Sequence, residues 1–222
     1  MSAPLRLALF DCDGTLVDSQ ADICASMDEA FALAGLAPPD AHATRRVAGL
    51  SLTEAMRRLH PEGEADAHAL LAAHYRDAFR TRREAGMLAE PLYEGIAALV
   101  EELAAKDWLL GVATGKSDRG LAHVLANHGL TGHFVTLQTA DRHPSKPHPS
   151  MIEAALDATG ADRALTAMIG DTAYDMEMAR NAGVRAFGVA WGYHDPHELE
   201  EAGAEAVAHS VPDLRALLEG ME

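Results

Sequence analysis

The stretch Leu5-Arg-Leu-Ala-Leu-Phe10-Asp11-Cys12-Asp13-Gly14 constrains this chain more than any other. Its apolar run suits only the inside of a protein, as in a strand buried on both faces. It then ends abruptly in two carboxylates. In an extended chain, residues two apart point to the same side, so Asp11 and Asp13 crowd one face while Cys12 turns toward the core. Like charges so close disfavour mutual ionisation, and burying them uncompensated costs roughly several kcal/mol or more. A metal ion or a shared proton are the two usual compensations. Asp-x-Asp-Gly is also a common way to end a strand in a turn, so the rest of the chain has to decide.

After this strand the pattern is helical for a long way. Ile23, Met27, Ala30, Phe31 and Ala34 recur at three- and four-residue spacing, and Gly35 stops the run. A helix from about Thr53 to Leu59 ends before Pro61. Another, from about Ala65 to Ala85, puts Leu70, Leu71, His74, Tyr75, Ala78 and Phe79 on one side. Residues 16–88 thus read as a helical block of roughly 70 residues, the size of a small accessory domain.

Beyond Pro91 the pattern alternates. Helical segments lead in turn to the apolar runs Trp108–Thr114, Phe134–Leu137, Ala167–Gly170 and Ala186–Ala190, and a last helix follows Pro212. Repeated αβ units with short apolar strands imply a parallel sheet covered on both faces. The expected fold is α/β: a doubly wound, Rossmann-like parallel sheet formed by residues 1–15 and 89–222, interrupted after its first strand by an α-helical cap, residues 16–88.

In open parallel sheets, ligands bind outside the carboxyl ends of the strands. Asp11 and Asp13 follow the first strand. Thr114-Gly115-Lys116-Ser117 follows the Trp108 run, Lys146-Pro147 lies beyond the Phe134 run, and Asp171 with Asp175 follows Gly170. Every chemically useful group lands at one edge. Gly-Val-Ala-Thr-Gly-Lys-Ser is not a nucleotide-binding loop, because Gly111 is one residue too close to Gly115 and falls inside the strand. Thr114 with free N–H groups after it still suits a phosphate. Four aspartates and a bound phosphate dianion total about −6 against +1 from Lys146, which is not a stable site. A divalent cation removes two units and a proton on Asp13 another. Magnesium prefers carboxylates, carbonyls and phosphate oxygens, so Asp11, Asp171 and a backbone carbonyl are suitable ligands.

Taken in order, Asp11-Cys-Asp13-Gly-Thr15-Leu-Val-Asp-Ser, Thr114, Lys146-Pro and Gly170-Asp171-Thr-Ala-Tyr-Asp175 resemble the four motifs of the haloacid dehalogenase superfamily. The resemblance covers the whole chain, the helical insertion included. Within that superfamily a carboxylate at position 13 marks phosphotransfer enzymes, so the resemblance implies a phosphatase rather than a dehalogenase. It implies that Asp11 attacks phosphorus and that Asp13 protonates the leaving oxygen and then activates water, its carbonyl binding Mg2+. It implies that Thr114 and Gly115 hold the phosphoryl oxygens, that Lys146 pairs with Asp11 and the phosphoryl group, and that Asp171 and Asp175 serve the metal. Of the cap arginines, Arg45 or Arg46 is a candidate to face the substrate, and Arg46 is taken as that contact.

Ala48-Gly49-Leu50-Ser51-Leu52 is similar to a cap segment near the substrate. Mutases of the β-phosphoglucomutase type carry Arg directly after that Ser, where Leu52 stands, so hydrolysis is favoured. With Gly188-Val-Ala-Trp-Gly192-Tyr193, the chain looks most like phosphoglycolate phosphatases. The expected activity is Mg2+-dependent hydrolysis of a small phosphorylated metabolite through an aspartyl-phosphate. The alternatives are a pyrophosphatase, a sugar-phosphate phosphatase, a β-phosphoglucomutase-like enzyme and, outside the enzymes, a phospho-acceptor signalling module.

The formal charge of −16 argues against nucleic acid and anionic membranes, while small anionic substrates need cations concentrated locally. Two cysteines and no secretory signal suggest a cytoplasmic protein, monomer or homodimer, with reduced thiols. His143, His148, His194 and His197 read as loop histidines rather than metal ligands.

Overall fold

The computed structural model describes residues 5–221. Six strands form one sheet: β1 (Arg6–Phe10), β2 (Trp108–Thr114), β3 (Thr136–Thr139), β4 (Thr166–Gly170), β5 (Arg185–Val189) and β6 (Ala206–Ala208). Their order is β3-β2-β1-β4-β5-β6, and every neighbouring pair is parallel. Strand order reverses around β1, with β2 on one side and β4 on the other. Such a switch leaves a crevice at the carboxyl ends of the central strands.

The continuous apolar run of β1 follows from burial on both faces. Ala8 and Phe10 join a core with Leu110, Val112 and Ile169. Leu7 and Leu9 join the opposite one with Met151, Ile152 and Met176. Each such side chain contributes about 1.5–3 kcal/mol by leaving water. Around the sheet lie α5 (Ile96–Ala105), α6 (Asp118–Asn127), α7 (Ser150–Thr159), α8 (Ala173–Ala182), α9 (Pro196–Ala202) and α10 (Val211–Glu219).

Between β1 and α5 the chain forms α1 (Gln20–Leu33), α2 (Ala41–Arg46), α3 (Leu52–Leu59) and α4 (Ala65–Glu84). Met27, Phe31, Met56, Leu71 and Ala72 make a small separate core there. Two linkers run side by side to the sheet: Asp18 N donates to Pro91 O at 2.8 Å, and Tyr93 N to Leu16 O at 3.0 Å.

Several elements differ from the sequence expectation. β3 begins two residues after Phe134, and Val135 between them is exposed. The buried face of α4 includes His68, Leu71, Ala72, Ala78 and Phe79, whereas Leu70 points outward at 51 % exposure. α2, α9 and β6 carry too few buried residues for a period to show. α9 did have a local signal: Asp195 and Glu198 form a capping box around Pro196.

Candidate active site

Four side chains meet beyond β1 and β4. Asp11, Asp171 and Asp175 are fully buried, and each offers an oxygen within 4.8 Å of the others. The buried Nζ of Lys146 lies 2.8 Å from Asp11 Oδ2 and 2.6 Å from Asp175 Oδ1. Each acid sits one residue past its strand except Asp175, which lies in the first turn of α8. There it closes a capping box with Thr172, whose N–H and Oγ1 donate to Asp175 Oδ2 at 3.1 and 2.6 Å. Asp171 accepts from Thr15 Oγ1 at 2.8 Å and Tyr193 N at 2.9 Å. Cys12 N donates to Asp11 Oδ1 at 2.6 Å.

Glycines permit this crowding. Gly14 has φ +83°, and a Cβ there would lie 2.1 Å from Asp171 Oδ2. Only a residue without Cβ takes this left-handed turn at such a distance from the carboxylate.

Burial pushes the Asp11 carboxyl up to about 6, against the partial relief of Lys146 and with Asp175 adding repulsion. Burial, then the charges of Asp11 and Asp175, push Asp171 well above the carboxylate range. Burial would lower Lys146, but Asp11 and Asp175 more than offset it and hold the ammonium charged. Three buried acids facing one cation form an under-compensated anionic site. Asp11 Oδ2 is closed to solvent and shares the Lys146 ammonium with Asp175. Hard oxygen donors and excess negative charge around one shared ammonium fit a divalent cation such as Mg2+.

Asp13 lies outside that cluster. Its Oδ1 accepts from Ser19 Oγ and, at 2.8 Å, from Lys116 Nζ. Lys116 also donates to Glu90 Oε1 at 2.8 Å, and Glu90 stands in the second linker. The earlier charge count therefore omitted a cation: Lys116 compensates Asp13 locally, as Lys146 does Asp11. The only signal for Lys116 was its place two residues after Thr114. Glu90 had none, because nothing ties a linker acid to a loop 26 residues away. Thr114 is buried beside Asp11, and its Oγ1 accepts from Lys116 N at 3.2 Å.

A cleft of about 700 Å³ opens above these groups, lined by Asp11, Asp13, Thr114, Gly115 and Lys116 below and by residues of α1, α3 and α4 above. The loop between α2 and α3 closes its inner end. A Cβ on Gly49 would lie 3.7 Å from Asp11 Oδ2, and one on Gly115 only 2.5 Å from the Gly49 and Leu50 carbonyls. Ser51 N donates to Ser145 Oγ at 2.8 Å.

Arg46 does not line this cleft. Its guanidinium pairs instead with both oxygens of Glu198 on α9, and its carbonyl accepts from Tyr174 Oη at 3.0 Å. At the end of α2 it faces the sheet-bound helices rather than the cavity, so the expected substrate contact gives way to a tie between the helical segment and the core. Of the histidines expected as loop residues, His197 lies in α9, and His194 donates its backbone N–H to Asp171 O at 3.3 Å. His194, buried, accepts from Ala173 N at 3.2 Å.

Comparison with known proteins agrees with this geometry. The family described as haloacid dehalogenase-like hydrolase matches residues 8–189. The chain is 33% identical to a probable phosphatase, IndB, of Dickeya dadantii, covering 94% of this chain and 91% of that one. It is 32% identical to a phosphoglycolate phosphatase of Agrobacterium fabrum, covering 90% and 87%. The crystal structure of a predicted phosphatase from Clostridium acetobutylicum superimposes with a TM-score of 0.88 at 25% identity, covering 98% and 100%. The chain belongs to the haloacid dehalogenase-like hydrolase family and, within it, to the phosphatases.

Proposed function

We propose that this phosphatase hydrolyses a small phosphorylated metabolite of the phosphoglycolate type with Mg2+, through a phosphoryl group held on Asp11. The observation that carries the reading is the buried, under-compensated cluster of Asp11, Asp171, Asp175 and Lys146 at the sheet's switch point. Residues 16–88 act as a cap over a core of residues 1–15 and 89–222. Phosphoryl transfer needs positioning and charge neutralisation more than exotic reactivity.

An Asp11 oxygen attacks phosphorus in line, and the bond to the leaving oxygen breaks with its electron pair going to that oxygen. Asp13 gives it a proton. Both hydrogen bonds to Asp13 fall on Oδ1, which leaves Oδ2 free to carry that proton. Water then attacks the phosphoryl group while Asp13 takes its proton, releasing inorganic phosphate and the Asp11 carboxylate. Lys146 and Thr114 hold the phosphoryl oxygens, and Asp175 fixes Lys146. Asp11, Asp171 and the Asp13 carbonyl would hold Mg2+, which would supply charge neutralisation for phosphoryl transfer.

A panel of phosphate esters assayed with and without Mg2+ tests this. Turnover that vanishes with chelator and returns with Mg2+ is the expected result. Turnover indifferent to chelator, or none on any ester, would overturn it.

A further inference from the structure

The outer half of the cleft has a chemistry that phosphoryl transfer does not use. In a chain with 34 acidic and 18 basic residues, Arg76, Arg80 and Arg83 of α4 and Arg119 of α6 all line this one cavity. The spacing of the α4 arginines places them on a single helical face. Arg80 is neutralised locally by Asp77 at 2.9 Å. Arg76, Arg83 and Arg119 have no carboxylate within ion-pair distance among the described residues, although most basic side chains elsewhere do.

Arg83 is the most telling. Its Nε is shielded from solvent yet donates to nothing, and an unsatisfied buried donor keeps its desolvation cost uncompensated. Its guanidinium lies over Phe79, 5.5 Å from the ring centroid, and Lys116 Nζ stands 5.3 Å from the same centroid. Arg83 is thus one aromatic ring away from the lysine that touches Asp13. Burial and then Arg83 depress His123, with Lys116 and Arg119 acting in the same direction, so the cations do converge here. The same cavity is also lined by the apolar Ile23, Met27, Val47 and Leu50.

We propose that Arg83, assisted by Arg119 and Arg76, binds a second anionic group, a carboxylate or phosphate, carried by the leaving alcohol of the substrate. This rests on the phosphatase reading above and narrows its substrate class. The cavity is far larger than a phosphoryl group and a two-carbon acid fill, and the apolar stretch gives room for a carbon spacer. An anion there would satisfy the orphaned donor with a charge-assisted bond. It would also concentrate anionic esters at the mouth of a protein that otherwise repels them.

The test compares kcat/KM of the full chain with Mg2+ on p-nitrophenyl phosphate, 2-phosphoglycolate and fructose 1,6-bisphosphate. Arg83→Gln lowers the ratio of at least one anion-bearing ester to p-nitrophenyl phosphate by about tenfold or more, chiefly through KM, and Arg83→Lys restores most of it. The ester that responds tells carboxylate from phosphate. An unchanged ratio overturns the proposal, as does equal loss on all three esters, which would mark Arg83 as a packing residue. Should the unsubstituted protein turn over no ester, the phosphatase reading falls and calorimetry decides the subsite alone. Binding of either anion-bearing ester weakened tenfold by Arg83→Gln would sustain the subsite, and equal or absent binding would remove it.

Discussion

The floor and the roof of the cleft are built by different physics. The floor hangs from strand ends of a sheet packed on both faces, and Asp11, Thr114, Lys146, Asp171 and Asp175 are buried there. The roof rests on a core of five buried residues among α1, α3 and α4, and its polar groups range from buried Asp22 and His68 to exposed Arg57 and Asp77. The floor concentrates acid around Lys146, and the roof brings arginines without partners. A floor of this kind suits one reaction that tolerates no misplacement. A roof of this kind suits substitution, because exchanging a half-exposed residue on a helix face leaves the sheet untouched. Chemistry and selectivity are thus separable here.

The largest effect that would break this separation concerns Asp11. Asp11→Asn should lower phosphate release at least about a thousandfold, because the amide is no nucleophile. It should leave the melting temperature equal or raised, since it removes one charge from an overcrowded acid cluster. Loss of activity together with loss of fold would mean the floor is structural.

Lys116→Met comes next, and it probes the seam between the two regions. It strands Asp13 and Glu90 without a cation, and breaking a buried pair in this way costs roughly 3–5 kcal/mol. Denaturant unfolding should report that cost, with a fall in kcat on every ester alike. A selective effect on anion-bearing esters would move Lys116 from the floor to the roof.

The floor should respond to pH through Asp11. In the metal-free protein Asp11 holds its proton up to about 6, above its ordinary value of 3.8. Between these values the folded state binds more protons than the unfolded chain. The stabilisation is therefore complete below about 3.8 and is lost as pH rises through about 6. Mg2+ competes with that proton, so the rise in melting temperature on adding Mg2+ should be small at pH 5 and grow above pH 6. A rise independent of pH would place the cation elsewhere.

How much of this was legible in the sequence also divides between floor and roof. Asp11, Thr114 and Asp171 stand at or just past the ends of apolar runs, so recognising the strands was enough to gather them at one edge. Lys146 and Asp175 fell at the same edge, but their roles needed the four motifs read together. The roof was legible as helices but not as a surface. The outward turn of Leu70, the partner of Arg46 and the stripe Arg76-Arg80-Arg83 depend on how α4 and α2 rotate against the sheet. That rotation is set by contacts between residues far apart in the chain, such as Phe79 with Lys116, and local spacing carries no record of them.

Arg46 supplies the smallest and sharpest of the tests. It was expected over the substrate and instead spans the seam to Glu198, with its side chain 37% exposed. Solvent screens such a pair and side-chain entropy opposes it, so Arg46→Gln should cost only about 0.2–1 kcal/mol in thermal unfolding. Its kcat/KM should shift less than about threefold on any ester, with no preference for those bearing a second anion. A tenfold rise in KM confined to anion-bearing esters would return Arg46 to the substrate. It would also mean that the Arg46 side chain leaves Glu198 during turnover, because Thr44 and Val47 on either side of it already line the cleft.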